Sequence, residues 1–427
     1  MKNTFELLSK INYWYKEPNI DMGFFRNRYM NKLKSALDNR LIKVLVGQRR
    51  VGKSYIIRQL IHYLINEHGV NPQNIFYLNK ELFEFDNIKT ASDLNELINF
   101  YRKELKIKGK VYLFVDEVQN INEWEKLISS LAQHTIDDYE IFLTGSNSSL
   151  LSGELATLLS GRYIVFEVFP ISYNEYLTIK NIENNKESLI QYLVTSGLPE
   201  LYNLNENDVK RYYFESLLNT VLLKDIMQRY KIRDYVLLED LFLFLLHNVG
   251  NMISIPSIIK YYKSKNRKAD YYTLSSYIKY MEEAFIIREC SKQSLKTKEL
   301  LSGNKKYFLN DLGFRNYLYP NIKQDIAGML ENIVFLHLKN AGYRVSIGQV
   351  KSYEIDFIAE NNDTKMYIQV SYLLASDETI NREFRPLEEI KDNFVKYVVS
   401  MDDFVISNEK GIIHQTIWDF LANLSNM

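Results

Sequence analysis

Short apolar runs and helical segments alternate along residues 41–170. The apolar runs are LIKVLVG at 41–47, NIFYLN at 74–79, VYLFVDE at 111–117, EIFLTGS at 140–146 and YIVFEVF at 163–169. Their apolar residues are largely successive rather than alternating, which is typical of strands buried on both faces of a parallel sheet covered by helices. The pattern predicts an α/β unit from about Ile42 to Pro170, with a helix from Gly52 to about Asn66 after the first strand.

A glycine-rich loop lies between the first predicted strand and this helix. Its sequence, GQRRVGKS at 47–54, is that of a phosphate-binding P-loop, in the strand-to-helix context that such a loop requires. The glycines let the backbone bend around phosphate groups, so that N–H groups and the helix N-terminus meet negative charge. We expect Lys53 to contact the β- and γ-phosphates of ATP and Ser54 to ligate Mg²⁺. The predicted nucleotide-binding residues are Gly47, Gln48, Arg49, Arg50, Val51, Gly52, Lys53, Ser54 and Tyr55.

Two carboxylates, Asp116 and Glu117, end the apolar run at 111–117. Open α/β sheets bind their ligands at the carboxyl ends of the strands, where these two residues are expected to lie. Asp116 is predicted to hold the magnesium ion, usually through water, and Glu117 to act as the general base that polarises the attacking water. A glutamate at position 117 favours hydrolysis over nucleotide sensing alone.

Small polar residues end the next predicted strand. Thr144, Ser146 and Asn147 are candidate sensors of the γ-phosphate or the lytic water, and a cap for the following helical segment explains them equally well. Arg162 precedes the last predicted strand of the unit, a position from which an arginine finger reaches the nucleotide of a neighbouring subunit. A surface arginine before a strand is equally common, so both interpretations stay open.

Several motifs together resemble one family. They are GQRRVGKS, DEVQNINEWEKLIS, TGSNSSLLSGELATLLSGRY with FPISYNEYL, the tripeptide Gly197-Leu198-Pro199, KKYFLNDLGFRNYL, GMLENIVFLHL and EIDFIAE, and they extend over nearly the whole chain. The chain thereby resembles the bacterial and archaeal AAA+ ATPases related to the STAND class.

This resemblance implies an α/β fold of four parts. They are an αβα P-loop NTPase core at 1–170, a helical lid at 171–235, a winged-helix domain at 236–310 and a C-terminal α/β nuclease-like domain at 311–427, similar to restriction-endonuclease-like PD-(D/E)xK folds. It also implies that Pro199 lies against the adenine of the bound nucleotide.

The predicted winged helix is locally basic. Helices are predicted at 236–247, 257–263 and 273–283, followed by strands around a polar turn, and residues 251–306 hold twelve Lys or Arg against five Asp or Glu. This excess predicts contacts with DNA phosphates, with 273–279 entering a groove and the 292–306 turn as the wing. Winged helices also dock proteins or neighbouring domains, so DNA and a protein partner remain equal alternatives.

The C-terminal segment has the predicted element order of a nuclease core, but an altered active-site pattern. Asp356 supplies one acid and Glu331 a helix glutamate, whereas the next strand carries Gln369 and Ser371 where a second acid and a lysine are needed. Gln369 removes a negative charge from a magnesium site, and Ser371 cannot supply the lysine's positive charge. We expect an inactive domain kept for binding or packing.

Composition adds few constraints. The 427-residue chain has 53 Lys and Arg and 53 Asp and Glu, so no global charge favours nucleic acid. Cys290 is the single cysteine in the sequence, which excludes an intramolecular disulfide and fits a reducing cytoplasm. The most apolar stretch, 241–246, is too short to span a bilayer, so no membrane association is expected.

The sequence therefore predicts a cytoplasmic ATPase whose Walker A and B site couples nucleotide state to a DNA- or protein-binding winged helix. One alternative is a nucleotide-gated DNA-binding or scaffold protein with little turnover, and another is an ATP-coupled nuclease. A homo-oligomer is required if Arg162 acts on a neighbouring subunit.

Overall fold

The computed structural model describes residues 1–15, 21–134, 138–151, 159, 161–297, 299–319, 326–362, 364–406 and 410–424. The chain divides into two compact units, Met1–Val168 and Phe169–Met427. The helical segment that Ser146 and Asn147 were expected to cap lies largely outside the described residues. No described helix is long and apolar enough to cross a membrane.

The N-terminal unit is a parallel sheet with helices. Its described strands are β1 Ile42–Val46, β2 Ile75–Asn79, β3 Val111–Asp116, β4 Tyr139–Gly145 and β5 Tyr163–Glu167, and its described α-helices are α1 Lys2–Ile11, α2 Asn27–Ser35, α3 Lys53–Asn66, α4 Ala91–Glu104 and α5 Trp124–Ala132. Each strand lies within a residue or two of its predicted apolar run, and all pairings among these strands are parallel, as predicted.

The strand order β2-β3-β4-β1-β5 decides which loops meet. β4 lies between β1 and β3, with Val46 of β1 opposite Gly145 of β4 and Val115 of β3 opposite Leu143. The carboxyl ends of these three strands therefore share one edge of the sheet. The P-loop, the acidic pair and the candidate sensors all emerge at that edge.

Apolar packing holds α2 and α3 to this sheet. Helix α3 contributes Ile57, Leu60 and Leu64 to a buried cluster that also contains Leu45 of β1 and Phe142 of β4. These three positions of α3 are spaced three and four residues apart, so they lie on one face of the helix. The packing fixes the N-terminus of α3, where the P-loop ends.

The first part of the C-terminal unit is mainly helical. Its described α-helices are α6 Tyr173–Lys180, α7 Lys186–Thr195, α8 Asn207–Thr220, α9 Tyr235–His247, α10 Ile255–Ser264, α11 Tyr271–Glu283 and α12 Gly313–Leu318, with a π-helical segment at Val221–Gln228 directly after α8. The helices predicted at 236–247, 257–263 and 273–283 correspond to α9, α10 and α11. The assignment of these elements to a winged helix remains a prediction.

The described strands of the C-terminal unit form one sheet. Its strands are β6 Met252–Ile253, β7 Ile287–Ser294, β8 Leu300–Leu309, β9 Arg344–Val350, β10 Tyr353–Glu360, β11 Lys365–Val370, β12 Val395–Ser400 and β13 Ile412–Thr416, and the helices are α13 Ile326–Ala341, α14 Asp377–Glu388 and α15 Ile417–Asn423. The order is β13-β12-β11-β10-β9-β7-β8-β6. The antiparallel β7–β8 hairpin joins the C-terminal strands through a parallel pairing of β7 with β9, so side chains of both parts share one sheet.

The sheet of the N-terminal unit contains a fully buried ion pair. Lys43 on β1 and Glu140 on β4 have side chains with no exposed surface, and the Lys43 ammonium donates to the Glu140 carboxylate. Glu140 also accepts from the Asp38 backbone N–H at 3.1 Å and pairs with Lys110 at 3.3 Å. Because a buried charge without its partner is costly, neither residue is replaceable alone.

We predict that Lys43→Met lowers the free energy of unfolding by about 3 kcal/mol, because the buried Glu140 carboxyl then loses its nearest cation and has only Lys110 beside it. Urea unfolding followed by circular dichroism measures the change. The double variant Lys43→Met/Glu140→Gln should recover most of the loss, since the glutamine keeps an acceptor for the Asp38 N–H without the charge. A double variant that is less stable than Lys43→Met would contradict this explanation.

Candidate functional site

The P-loop is bent at two glycines whose conformations other residues rarely adopt. Gly47 has φ +153°, and a Cβ there would lie 2.3 Å from the Val168 carbonyl oxygen, a backbone atom. Gly52 has φ +99° and is the N-cap of α3. A side chain at position 47 would therefore push the loop from the sheet edge.

Lys53, the first residue of α3, lies inside this loop. Its ammonium donates to the carbonyl oxygens of Gly47 at 2.9 Å and Gln48 at 3.2 Å, and it lies 3.6 Å from a Glu117 carboxylate oxygen. Only 5% of the lysine is exposed. The P-loop lysine and the predicted general base are thus brought together, and phosphate oxygens can replace the carbonyl oxygens as acceptors.

Asp116 ends β3 among hydroxyl groups. The Thr144 hydroxyl of β4 donates to one carboxylate oxygen, the Tyr77 hydroxyl lies 3.4 Å from the other, and Ser54 hydrogen-bonds to the same carboxyl group. Burial, followed by the negative charge of Glu117, raises the pKa of Asp116, although the Thr144 and Ser54 hydrogen bonds oppose the rise. The two predicted magnesium ligands, Ser54 and Asp116, are therefore in contact.

Glu117 lies at the turn after β3, in the left-handed region with φ +56°. Its backbone N–H donates to the Thr144 hydroxyl oxygen at 2.9 Å, and its carboxylate accepts from the Gln119 amide and the Ser146 side chain. Burial works to raise the pKa of Glu117, but the charges of Lys53 and Arg49 and these hydrogen bonds bring it below the usual range. The pKa values of the two neighbouring carboxyls are therefore shifted in opposite directions.

The oxygen atoms at this edge fit a magnesium ion. Mg²⁺ takes oxygen ligands, usually one or two carboxylates together with water and nucleotide phosphates, and Ser54 and Asp116 present a hydroxyl and a carboxylate side by side. Among the described residues no three or more His, Cys, Asp or Glu side chains are arranged to hold a metal ion by themselves. Such a site would depend on the nucleotide to complete the coordination.

The three candidate sensors are buried at this edge. Thr144 contacts both acidic residues, Ser146 lies 3.3 Å from the Gln119 amide nitrogen, and Asn147 has no exposed surface. Thr144 thus joins the two acidic residues, while its role as a sensor remains a prediction. The helix-cap alternative for Ser146 and Asn147 stays untested.

The remaining P-loop residues have distinct surroundings. The Arg49 guanidinium pairs with Glu81, Gln48 and Val51 are buried, Arg50 has φ +69°, and Tyr55 is exposed on α3. The segment before the loop lies against α3, because Gln59 donates to the Met22 and Phe24 carbonyls and the Arg58 guanidinium donates to the Asp21 carbonyl at 3.3 Å. The predicted contact of Tyr55 with the nucleotide remains a prediction.

The sequence did not single out Gln119 or Tyr77. Gln119 joins Glu117 to Ser146 from a short 3₁₀ turn after the acidic pair, and Tyr77 reaches Asp116 from the neighbouring strand β2. Neither belongs to a phosphate-binding motif. Gln119 could have been suspected from its position two residues after Glu117. The contact of Tyr77 with Asp116 could not have been found without knowing that β2 lies beside β3.

Arg162 lies at the amino ends of the strands of this sheet, opposite the carboxyl ends where the P-loop emerges. Its carbonyl accepts from the Ile42 N–H at 2.9 Å, and the next residue, Tyr163, pairs with Ile42 at the start of β1. The P-loop follows the other end of β1, at Val46. The exposed Arg162 therefore cannot reach the phosphates of its own chain, and an arginine-finger role requires a second copy.

The Gly197-Leu198-Pro199 tripeptide is held by a buried carboxylate. Asp311 accepts from the Gly197 N–H at 2.9 Å and from the Gly313 N–H at 2.8 Å, and it also hydrogen-bonds to Leu198 and Ser196. Burial raises the pKa of Asp311 to about 6, against the effect of these hydrogen bonds. Pro199 begins the 3₁₀ turn Pro199–Tyr202, and its contact with adenine remains a prediction.

The predicted nuclease residues come together only in part. Asp356 on β10 and Glu331 on α13 converge, and the Gln369 side-chain oxygen accepts from the Asp356 N–H at 3.4 Å. Ser371 does not join them, since its hydroxyl donates to the Leu373 carbonyl at 3.5 Å.

A lysine from outside the predicted motif lies at the centre of this cluster. The Lys306 ammonium on β8 is 2.8 Å from Glu331, 3.2 Å from Glu354 and 3.3 Å from Asp356. Burial and the charge of Asp356 raise the pKa of Glu331 to about 8, despite the opposing charge of Lys306. Lys306 lies in the KKYFLNDLGFRNYL motif, but the sequence did not connect it to the predicted nuclease residues, because β8 is distant from them along the chain.

The structure also corrects the basic surplus of the predicted winged helix. Lys306 is buried among carboxylates, Lys305 pairs with Glu289 at 2.6 Å, and Lys292 is 3.5 Å from Glu354. Arg267 pairs with Asp240 and Lys279 with Glu283. Glu289 and Glu283 were already subtracted in the counted excess, whereas the carboxylates that face Lys306, Lys292 and Arg267 lie outside residues 251–306. The count therefore overstated the charge available to a phosphate backbone at these three cations.

Comparison with known proteins assigns the N-terminal unit. A family model described as an AAA domain matches residues 39–177, and a model described as a domain of unknown function matches residues 186–325. An uncharacterised protein of Haemophilus influenzae is 34% identical over 379 residues, covering 88% of this chain and 92% of the relative. An uncharacterised protein of Methanocaldococcus jannaschii is 31% identical over 367 residues, covering 82% and 79%.

Solved structures are similar only at a distance. The Walker-type ATPase of Pyrococcus abyssi has a TM-score of 0.41 at 15% identity, over 69% of this chain and 95% of that one. The Cdc6p structure from Pyrobaculum aerophilum has a TM-score of 0.30 at 13% identity, over 73% and 94%. Because the two relatives align along most of their length, the chain belongs to one family with the Haemophilus influenzae and Methanocaldococcus jannaschii proteins, and its residues 39–177 form an AAA domain.

Proposed function

We propose that this protein binds ATP with Mg²⁺ and hydrolyses it at the carboxyl edge of β1, β3 and β4. The observation that supports the proposal is the contact of Glu117 with Lys53, beside a Ser54–Asp116 pair that suits a magnesium ion. A P-loop that served only to hold nucleotide would not need a second carboxylate beside the lysine. The lowered pKa of Glu117 keeps it ionised near neutral pH, as a proton acceptor must be.

Each residue has a defined part in this proposal. The P-loop N–H groups and Lys53 bind the phosphates and stabilise the charge that develops on them. Ser54 and Asp116 would hold Mg²⁺, which supplies further positive charge to the phosphate oxygens. Glu117 accepts a proton from the attacking water, and its backbone is held by Thr144 while its carboxylate is oriented by Gln119.

The nucleotide state is proposed to control the C-terminal unit. Asp311 follows the end of strand β8, and it holds Gly197 and Leu198, the residues before Pro199. If Pro199 contacts the adenine, as the family resemblance implies, nucleotide binding acts on a loop that is hydrogen-bonded to the β7–β8 hairpin region. Arg162 would add a contribution only in an oligomer, from a second copy of the chain.

We predict that Lys53→Ala weakens ATP binding and that Glu117→Gln keeps ATP binding but slows hydrolysis by about 100-fold or more, because the general base is lost while the phosphate contacts remain. Isothermal titration calorimetry measures binding, and phosphate release measures turnover. Matched controls are Lys89→Ala and Glu123→Gln, whose side chains are 67% and 63% exposed and pair with Asp86 and Lys126.

Full hydrolysis by both Lys53→Ala and Glu117→Gln would disprove the proposed site. Wild-type turnover no faster than that of an unassisted switch GTPase, with tight ATP binding, would instead favour the nucleotide-gated scaffold. An assay with and without DNA, beside a sizing measurement with and without ATP, separates an enzyme from a switch.

DNA is the second candidate partner, and a surface beside α11 favours it. A cavity of about 520 Å³ is lined by Lys263, Arg267 and Lys268 and by Thr273 in the first turn of α11. Tyr272, at the start of the same helix, is 82% exposed. Exposed cations beside a helix N-terminus and an aromatic ring suit a phosphate backbone, although Asp234 and Asp270 also line the cavity.

We predict that Lys263→Ala/Lys268→Ala weakens DNA binding and reduces the slope of log affinity against log salt by about two, because each lysine neutralises about one phosphate. Fluorescence anisotropy with a duplex at several salt concentrations measures both quantities. Lys224→Ala, which removes an exposed charge from another helical segment of the same unit, is the matched control. Wild-type affinity that is independent of salt would exclude phosphate contacts and leave a protein partner.

A further inference from the structure

Lys306 is a buried lysine at the centre of three carboxylates. It lies on β8, and 5% of its side chain is exposed. Its ammonium is 2.8 Å from Glu331 on α13, and 3.2 Å and 3.3 Å from Glu354 and Asp356 on β10. Glu354 and Asp356 are two positions apart on one strand, so their side chains leave the same face of the sheet.

The carboxylates are positioned by groups other than the lysine. The second oxygen of Asp356 accepts from the Val370 N–H at 2.9 Å, and the Asp356 N–H donates to the Gln369 side chain at 3.4 Å. Glu331 is part of the long helix α13, whose Val334 and Leu338 are buried. Removal of the lysine would therefore leave the acidic groups facing one another.

The charge balance of the cluster depends on Lys306. Three carboxylates face its ammonium, and Lys292 reaches only the more exposed Glu354, at 3.5 Å. Glu383, which is buried next to Gln369, pairs with Arg382. A buried set of ionised carboxylates without its cation is strongly destabilising, so on loss of the ammonium the cluster must take up protons or bind another cation.

The oxygens around the Lys306 ammonium do not form a metal site as they stand, but a small inward movement would bring them to the distances of a divalent ion. Calcium binds carboxylate oxygens at about 2.3–2.6 Å in flexible geometry. The oxygens around the Lys306 nitrogen, at 2.8–3.3 Å, would need to move inward by about 0.2–1 Å to reach those distances. The ammonium and a divalent cation would thus compete for one position.

We propose that Lys306 is the built-in cation of this carboxylate site. Its ammonium takes the position of a divalent metal ion, ties the β7–β8 hairpin to α13 and β10, and keeps metal out of the wild-type domain. Removal of the ammonium, with the carboxylates left in place, turns the cluster into a binding site for a divalent, oxygen-preferring cation. The proposal is independent of ATP hydrolysis, because every residue involved belongs to the C-terminal unit.

The test compares Ca²⁺ binding by the full-length protein with and without Lys306. All chains carry Asp116→Asn and no nucleotide is added, so that the P-loop site does not contribute. We expect no Ca²⁺ binding at the cluster in the protein that retains Lys306. The Lys306→Ala chain should melt at least about 5 °C lower in EDTA, because three carboxylates lose their cation. Added Ca²⁺ should restore the melting temperature, and calorimetry should detect Ca²⁺ binding that the parent lacks.

Two further chains locate the effect. Lys306→Ala/Asp356→Asn should lose the Ca²⁺ response, because it removes a central ligand. Lys305→Ala, which removes the neighbouring lysine that pairs with Glu289, should gain no Ca²⁺ binding.

Three results would overturn the proposal. They are equal Ca²⁺ binding with and without Lys306, no rescue of Lys306→Ala by Ca²⁺, and a rescue that survives Asp356→Asn. If Lys306→Ala does not fold in EDTA, the chain is refolded in CaCl₂, and failure to fold there as well counts as no rescue. Calorimetry for stoichiometry and thermal melting for stability provide independent readouts.

Discussion

A lysine ammonium that leaves water must be surrounded by oxygen atoms, and this requirement organises three places in the molecule. Lys43 is enclosed with Glu140 at the amino end of the N-terminal sheet, and Lys53 lies among P-loop carbonyls beside Glu117 at the carboxyl end. Lys306 is enclosed by three carboxylates in the C-terminal unit. The oxygen atoms differ in each place, and so does the consequence.

The difference lies in what can replace those oxygens. Around Lys43 the partners are fixed by two central strands, so the pair contributes to the fold. Around Lys53 two of the acceptors are backbone carbonyls of a loop bent by Gly47 and Gly52, and phosphate oxygens are stronger acceptors than carbonyls. The need to surround a buried ammonium with oxygen atoms therefore produces a structural ion pair at the amino ends of the strands. At their carboxyl ends it produces a lysine whose acceptors a ligand can replace.

The C-terminal cluster joins two of the predicted nuclease residues to a lysine from outside the predicted motif. Gln369 and Ser371 depart from the acid and lysine of a nuclease, but Lys306 brings a positive charge to Asp356 and Glu331 from another strand. That charge comes from the hairpin that also contains much of the basic surplus attributed to DNA binding. Lys306 is therefore not available to contact DNA from the predicted winged helix, and it supplies a positive charge to the predicted nuclease residues.

The sequence by itself determined the P-loop, the acidic pair and the five strands of the N-terminal sheet, because those features depend on local order: successive apolar residues, glycine positions and carboxylates at a strand end. It also placed three helices of the C-terminal unit within two residues of α9, α10 and α11. Only the tertiary structure decided that Thr144 joins Asp116 to Glu117, that Arg162 lies at the edge opposite the phosphates, and that Lys306 neutralises Asp356. These relations depend on strand order and register between segments far apart in the chain, and hydrophobic periodicity carries no information about which strands become neighbours.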